Sequence, residues 1–341
     1  MKVITFGEIM LRLSPPGFER FLQTQNFVAT FGGGEANVAV SLAWFGLDSY
    51  YVTRLPKHEI GDACVRALRA EGVKTDYILR GGDRIGVYYA ETGASQRAST
   101  VIYDRARSSI AEMEPDAVDW AKVFDGASWF HVTGITPALG DKGAAATAKS
   151  LAAARAAGVK VSVDLNFRKK LWTEKRAQEV MGPLMRNVDV VIANEEDLQS
   201  VLGVHVPGTD VTSGQLNIDG FREAAERVTR DFGPPMVAIT LRESVSASDN
   251  GWSAVLWDSA SQTLHRSQRY DVRLVDRIGG GDSFAGGLIY GLVTGRSPQD
   301  ALKFAVASSA LKQTIPGDFN RVTVAEVDRL AGGDASGRVQ R

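Results

Sequence analysis

The stretch DRIGGGDSFAGG at 276–287 sets three successive glycines before an aspartate and then opens an apolar run. Glycine loses more conformational freedom on folding than any other residue, so three in a row need a physical reason. Without β-carbons, the N–H groups of Gly279, Gly280 and Gly281 can approach an anion closely. Phe284, Leu288 and Leu292 follow at spacings of four, with Ala285 and Ile289 beside them. That pattern predicts a helix opening here and sets the turn at the positive end of its dipole. A phosphoryl group held in such a turn would sit next to Asp282, whose carboxylate could take the proton of an attacking hydroxyl while the amides bind the growing negative charge. Aspartate is also a favoured N-cap, and before a lone Gly-Asp that plainer role would suffice. A cap, however, does not require three glycines.

A second cluster, FGGGEANVAVSLAWFG at 31–46, leads into another helix of small and apolar residues. Close backbone packing at a strand-to-helix turn explains it as well as ligand binding does. The chain has no G-x-x-x-x-G-K-[ST], which excludes a Walker loop, and no G-x-G-x-x-G, which counts against a dinucleotide-binding oxidoreductase. The histidines at 58, 131, 205 and 265 show no metal-ligand spacing, and His131 in WFHVTG reads as a strand residue.

The elements that must position these groups alternate along the chain. KVITF at 2–6, VKVSVD at 159–164, VDVVIAN at 188–194 and MVAIT at 236–240 predict strands, each ending near a polar residue or glycine where an α/β sheet places its ligand loops. The alanine-rich run 142–158 predicts a helix stopped at Gly158. Segments 11–31 and 86–103 break the rhythm; they alternate and carry turn residues, predicting a small β-rich flap. The tail 332–341 has no apolar face. With 39 basic and 40 acidic residues, a net charge of -1 gives no field to gather nucleic acid or an acidic membrane. One cysteine, Cys64, and no secretory apolar region point to the cytoplasm. Cys64 itself reads as a small buried hydrophobe.

The two glycine motifs, in this order and separation, resemble the paired signatures of the ribokinase-like (PfkB) carbohydrate kinases, and the likeness runs from GEIMLRLSPPG at 7 nearly to the end. Within that family, GVYYAETGASQRAS, VIYDRARSSI, FHVTGITPAL, DLNFRKKLW, ITLRESVSAS and TIPGDFN are similar to 2-keto-3-deoxygluconate kinases. The resemblance implies a three-layer α/β/α fold with a central, mostly parallel sheet and a small β-rich lid, forming one kinase domain over 1–331. It implies ATP-dependent phosphorylation of a sugar hydroxyl, with a neutral ketose such as fructose as the alternative acceptor.

Carried over residue by residue, the resemblance puts the sugar acid near Gly34, Asn37, Tyr88, Tyr103, Arg105, Arg168 and Asp318, with Asp282 at the reacting hydroxyl. Two arginine forks, Arg105 and Arg168, suit a carboxylate and would separate a sugar acid from a neutral ketose. Packing of Tyr88 and Tyr103 within the flap, and satisfaction of a helix start by Asn37, remain the plainer roles. NEED at 194–197 resembles the family's N-x-x-E element with aspartate in the fourth place, so Asn194 would meet the nucleotide, and Glu195, Glu196 or Asp197 would reach magnesium, directly or through water. The same acidic residues could simply favour a helix start. Thr240 and Arg242 stand where relatives carry K-x-G-x-x-G and are weaker nucleotide contacts than Asn194 or Gly281. Activation by a monovalent cation is left open. An exposed flap edge would suit assembly with another copy, a dimer or higher.

Overall fold

The computed structural model describes residues 1–208, 217–334 and 337. At its centre the strand Lys2–Phe6 pairs in parallel with Asp48–Leu55 on one side and Ala127–Thr133 on the other. From Ala127–Thr133 the parallel order continues through Lys160–Asp164, Val190–Ala193 and Met236–Ser244. There it reverses: Asp249–Asp258 pairs antiparallel with Met236–Ser244, and Thr263–Arg266 and Tyr270–Arg273 pair antiparallel with Asp249–Asp258. Ile78–Arg80 lies at the far edge, giving ten strands in all.

Parallel neighbours need long crossovers, and the helices that make them cover both faces. Successive residues of the central strand therefore enter different cores. Ile4 and Phe6 pack with Trp120, Leu151 and Phe221, whereas Val3 packs with Val38, Phe284 and Leu302. Those two cores make the three layers. The alanine-rich helix is Asp141–Ala156, and Gly158 beyond it takes the left-handed φ of 70° that a non-glycine residue resists. The strand foreseen at 236–240 runs on to Ser244 because its antiparallel partner extends it.

Segments 11–31 and 86–103 contribute to a second sheet of four strands in the order Val28–Gly32, Met10–Ser14, Gly86–Glu91, Thr100–Asp104. The tail expected at 332–341 falls mostly outside the described residues, beyond the helix Val324–Ala331. Among the described residues no helix is long and apolar enough to cross a membrane. His131 is a fully buried strand residue with Nδ1 2.9 Å from Ser162 Oγ, and burial pushes it down to about 3, so it stays neutral. Burial pushes the Cys64 thiol up to about 12 and keeps it from acting as a nucleophile.

Candidate active site

The glycine motif near the C-terminus forms the start of the helix Gly280–Val293. Gly279 caps it in the left-handed region at φ 83°, where a Cβ would strike the Asp318 carbonyl at 2.2 Å, so both conformation and space demand glycine. Nothing lies within 4 Å of the point a Cβ on Gly281 would occupy. The turn is therefore open toward the cleft on the side where helix-start amides have no preceding carbonyl to meet. One expected amide is differently placed: Gly280 donates to the Arg277 carbonyl at 3.3 Å, leaving the amides of Gly281 and Asp282 as the helix-start donors that meet no main-chain carbonyl among the described residues.

Asp282 is not a cap. Its carboxylate accepts from Asn37 Nδ2 at 2.7 Å, a bond joining the two glycine motifs across 245 residues, and no side chain caps this helix. Asn37 also accepts from the Gly33 amide at 3.3 Å, so it both satisfies its own helix start and orients Asp282. Scarcity of water around Asp282 raises it to about 6, helped by the charges of Asp318 and Glu35 and opposed by Asn37 and Arg168.

The first glycine cluster divides in function. A Cβ on Gly32 would meet Asp318 at 2.1 Å and one on Gly33 the Glu8 carbonyl at 2.1 Å, so both serve close packing. Gly34 instead borders the cleft, its absent Cβ 3.5 Å from Asp282 Oδ1. Glu35 is fully buried and accepts from the Thr133 amide at 3.0 Å and the Thr133 and Thr136 hydroxyls at 2.8 Å, which fixes this turn to the sheet. Burial raises its pKa.

Around the expected acceptor side the arginines sort themselves. Arg105 is buried, with Nε donating to Glu8 Oε2 at 2.7 Å and Nη2 closing on the same oxygen. That edge of its fork is unavailable to a substrate, which corrects the expectation of two free forks: Glu8, buried at the end of the central strand, needs a cation of its own. Arg168 makes no ion pair among the described residues and donates only to the neighbouring Phe167 carbonyl at 3.2 Å. It follows Asn166, a non-glycine residue at φ 39°, a strained turn of the kind found at functional sites. Tyr88 donates to Asp318 Oδ2 and stacks at a tilt on Tyr103, ring centres 6.0 Å apart, while Arg105 lies 5.4 Å from the Tyr103 ring. Asp318 is in turn paired at 2.7 Å with Arg12, whose other terminal nitrogen pairs at 2.7 Å with Asp276. Burial opposes the charge of Arg12, but these two carboxylates more than offset it.

On the opposite side, the helix Glu195–Leu202 begins with a capping box: the Asp197 amide donates to Asn194 Oδ1 at 2.8 Å and the Asn194 amide to Asp197 Oδ2 at 3.3 Å. The other Asp197 oxygen accepts from the Phe167 amide at 2.8 Å. Asp197, expected near the metal, thus spends both oxygens on main-chain amides; burial raises it to about 6. Glu196 is exposed at the cleft. No group of three potential ligand side chains suited to a metal exists among the described residues. Thr240 donates to the Ala193 carbonyl at 3.4 Å, and Arg242 is exposed beside Arg277.

One cleft of about 390 Å³ runs between these sides, at the ends of the parallel strands, and every residue singled out from the sequence for sugar, nucleotide or metal lines it. Sequence reasoning missed Arg277, Asp164, Arg12, Glu8 and Lys312. Arg277 and Asp164 stood inside quoted motifs, DRIGGGD and DLNFR, and were legible there. Burial and the Asp197 and Asp282 charges lift Asp164 well above the carboxylate range. The partners of Arg12, Glu8 and Lys312 are long-range and carried no local signal.

A layered α/β sheet with an aspartate and an open glycine turn meeting at its ligand edge defines a phosphotransferase class of site. The sequence pattern of the pfkB family carbohydrate kinases matches residues 1–320, and the chain belongs to that family. It is a carbohydrate kinase. A curated relative, the 2-dehydro-3-deoxygalactonokinase of Haloferax volcanii, is 34% identical over 98% of both chains. The solved 2-dehydro-3-deoxygluconokinase of Thermotoga maritima is 52% identical, with a TM-score of 0.94 over 98% of this chain and 100% of its own. A Xylella fastidiosa fructokinase with bound ATP shares the fold alone, at 20% identity and a TM-score of 0.75 over 97% of this chain and 98% of its own.

Proposed function

We propose that this kinase transfers the γ-phosphoryl group of ATP to the 6-hydroxyl of 2-keto-3-deoxy-D-gluconate, giving the 6-phosphate and ADP. The observation that carries the reading is the position of Asp282: half-buried, oriented by Asn37, and next to both the open turn at Gly281 and the gap left by Gly34. A hydroxyl lodged beside Gly34 would give its proton to Asp282 as its oxygen attacks phosphorus, and the helix-start amides would bind the negative charge. Asn194, Thr240, Arg242 and Arg277 line the side left for the nucleotide. Magnesium, which Glu196, exposed at the cleft, could reach through water, would neutralise phosphate charge.

Arg168, which makes no ion pair among the described residues, supports a sugar acid over a neutral ketose, with Nη1 of Arg105 as a second donor. A second acceptor reading, the galactonate epimer, is favoured by the relative from Haloferax volcanii. A lone, buried cysteine suits a reducing cytoplasm. Assembly as a dimer or higher would use the edge strands of the second sheet, where Val28 and Ile102 are exposed. The test is ADP release measured with 2-keto-3-deoxygluconate, its galactonate epimer, gluconate and fructose. A higher kcat/KM for fructose than for either keto-deoxy acid would overturn the substrate assignment.

A further inference from the structure

Lys312 ends the helix Pro298–Lys312 and has no accessible surface. A buried ammonium is ordinarily matched by a carboxylate within hydrogen-bond reach. Here its hydrogens go to main-chain carbonyls: Asp276 at 3.1 Å, Ile278 at closer range and Ile315 at 3.5 Å. Two of these belong to the segment that leads into Gly279, and the third to the turn that leads to Asp318. The Asp276 carboxylate stitches the same segments, accepting from the Ile278 and Gly317 amides, each at 3.1 Å. Carbonyl oxygens converging on a single positive charge in a closed space are the donor set that would otherwise hold an unhydrated monovalent cation. Without that charge their dipoles would repel one another.

Peptide geometry carries the effect outward. In a trans unit the carbonyl of Ile278 and the amide of Gly279 point in opposite directions, so holding the one inward aims the other out of the turn. The Cε of Lys312 lies 3.3 Å from where a Cβ on Gly279 would be, directly beneath the glycine turn. We infer that Lys312 is a positioning residue, a cation built into the chain that fixes the anion-binding turn, so that phosphoryl transfer needs no added monovalent ion. This rests on the glycine turn being the anion hole. Burial lowers the pKa of Lys312, while Asp276 and Asp318 act to keep it charged.

The first measurement uses the unaltered enzyme and whichever sugar of the panel it phosphorylates. Turnover with tetramethylammonium as the sole monovalent cation should match that in K⁺ within about twofold at equal ionic strength. A strict requirement for K⁺ overturns the inference. In Lys312→Met the turn loses its charge, and kcat in tetramethylammonium should fall by about 10²-fold, as when an anion-hole donor is removed. K⁺ or NH₄⁺ should restore about tenfold or more, which a merely structural lysine would not allow. Loss that no cation restores refutes the role. A readout independent of catalysis separates this from failure of the substrate assignment: K⁺ should raise the melting temperature of Lys312→Met relative to tetramethylammonium and leave the unaltered enzyme unmoved. Equal responses in the two proteins count against the inference whatever the acceptor proves to be.

Discussion

Replacing Asp282 by asparagine tests the centre of the proposed chemistry. The amide is isosteric, and its oxygen can still accept from Asn37 Nδ2, which now donates at 2.7 Å, so the side chain should keep its place. What is lost is the base. A positioned general base contributes about 10² to 10⁴ in rate, so kcat should fall by that factor while KM for ATP and for the sugar acid change little. With the carboxyl at about 6, kcat/KM of the unaltered enzyme should rise through that pH and level off above it, because only the ionised form accepts a proton. The same shift makes a stability statement. A carboxyl raised in the folded state binds its proton more tightly than in the unfolded chain, so the folded protein loses stability as pH rises from the ordinary aspartate value of 3.8 through about 6. The Asp282→Asn variant escapes that loss. It should be more stable at pH 8 by about 1–3 kcal/mol, a difference that shrinks through pH 6 and vanishes below 3.8. ADP-coupled kinetics and urea unfolding at several pH values measure both effects. Turnover within about tenfold of the unaltered enzyme, with no acidic limb near pH 6, would refute the base role.

Three further substitutions separate binding from architecture. Arg105→Ala strands the buried Glu8 carboxylate and should cost about 3–5 kcal/mol in unfolding experiments; because it also removes Nη1, it should lower kcat/KM for the sugar acid more than for fructose. Arg168→Ala breaks no ion pair; it should leave the melting temperature nearly unchanged and lower kcat/KM for the sugar acid by about 10- to 200-fold relative to fructose. Equal losses on both acceptors would remove its carboxylate role. Gly34→Ala sets a methyl 3.3 Å from Thr133 Cγ2 and 3.5 Å from Asp282 Oδ1, which the fold tolerates but an acceptor hydroxyl would not. It should reduce kcat/KM for the acceptor by about tenfold or more with KM for ATP unchanged, and unaltered acceptor kinetics would exclude the gap as the hydroxyl's seat.

Four parallel strands of the main sheet and both glycine-led helices were legible because their signals are local: apolar runs, periodicity and turn residues within a few positions; the antiparallel edge at 249–273 was not foreseen. Gly281 and Asp282 were legible for the same reason, since three glycines before an aspartate conflict with helix economy unless backbone must approach a ligand. What stayed hidden was pairing. Arg105 and Arg168 look alike in sequence, and only the fold brings Glu8, 97 residues away, against one and not the other. Asp197 looked like a metal ligand, yet the Phe167 amide arrives from another strand's loop and completes its hydrogen bonding. The separate duties of Gly32, Gly33 and Gly34 likewise depend on which atoms face each missing β-carbon, information that adjacency in the chain does not contain.

Arg12 lies in a strand of the second sheet, yet its guanidinium is anchored to Asp318 and Asp276 of the main body through two buried ion pairs. Detaching that strand would strip three charges of their counterions, so the base of this sheet behaves as a fixed pillar. Any gate for substrate entry must pivot above it, in the outer stretches 15–27 and 92–99. There Ser95 joins the tip to the opposite bank, its amide donating to Ser248 Oγ and its carbonyl accepting from the Ala247 amide, two hydrogen bonds that any such movement would have to break.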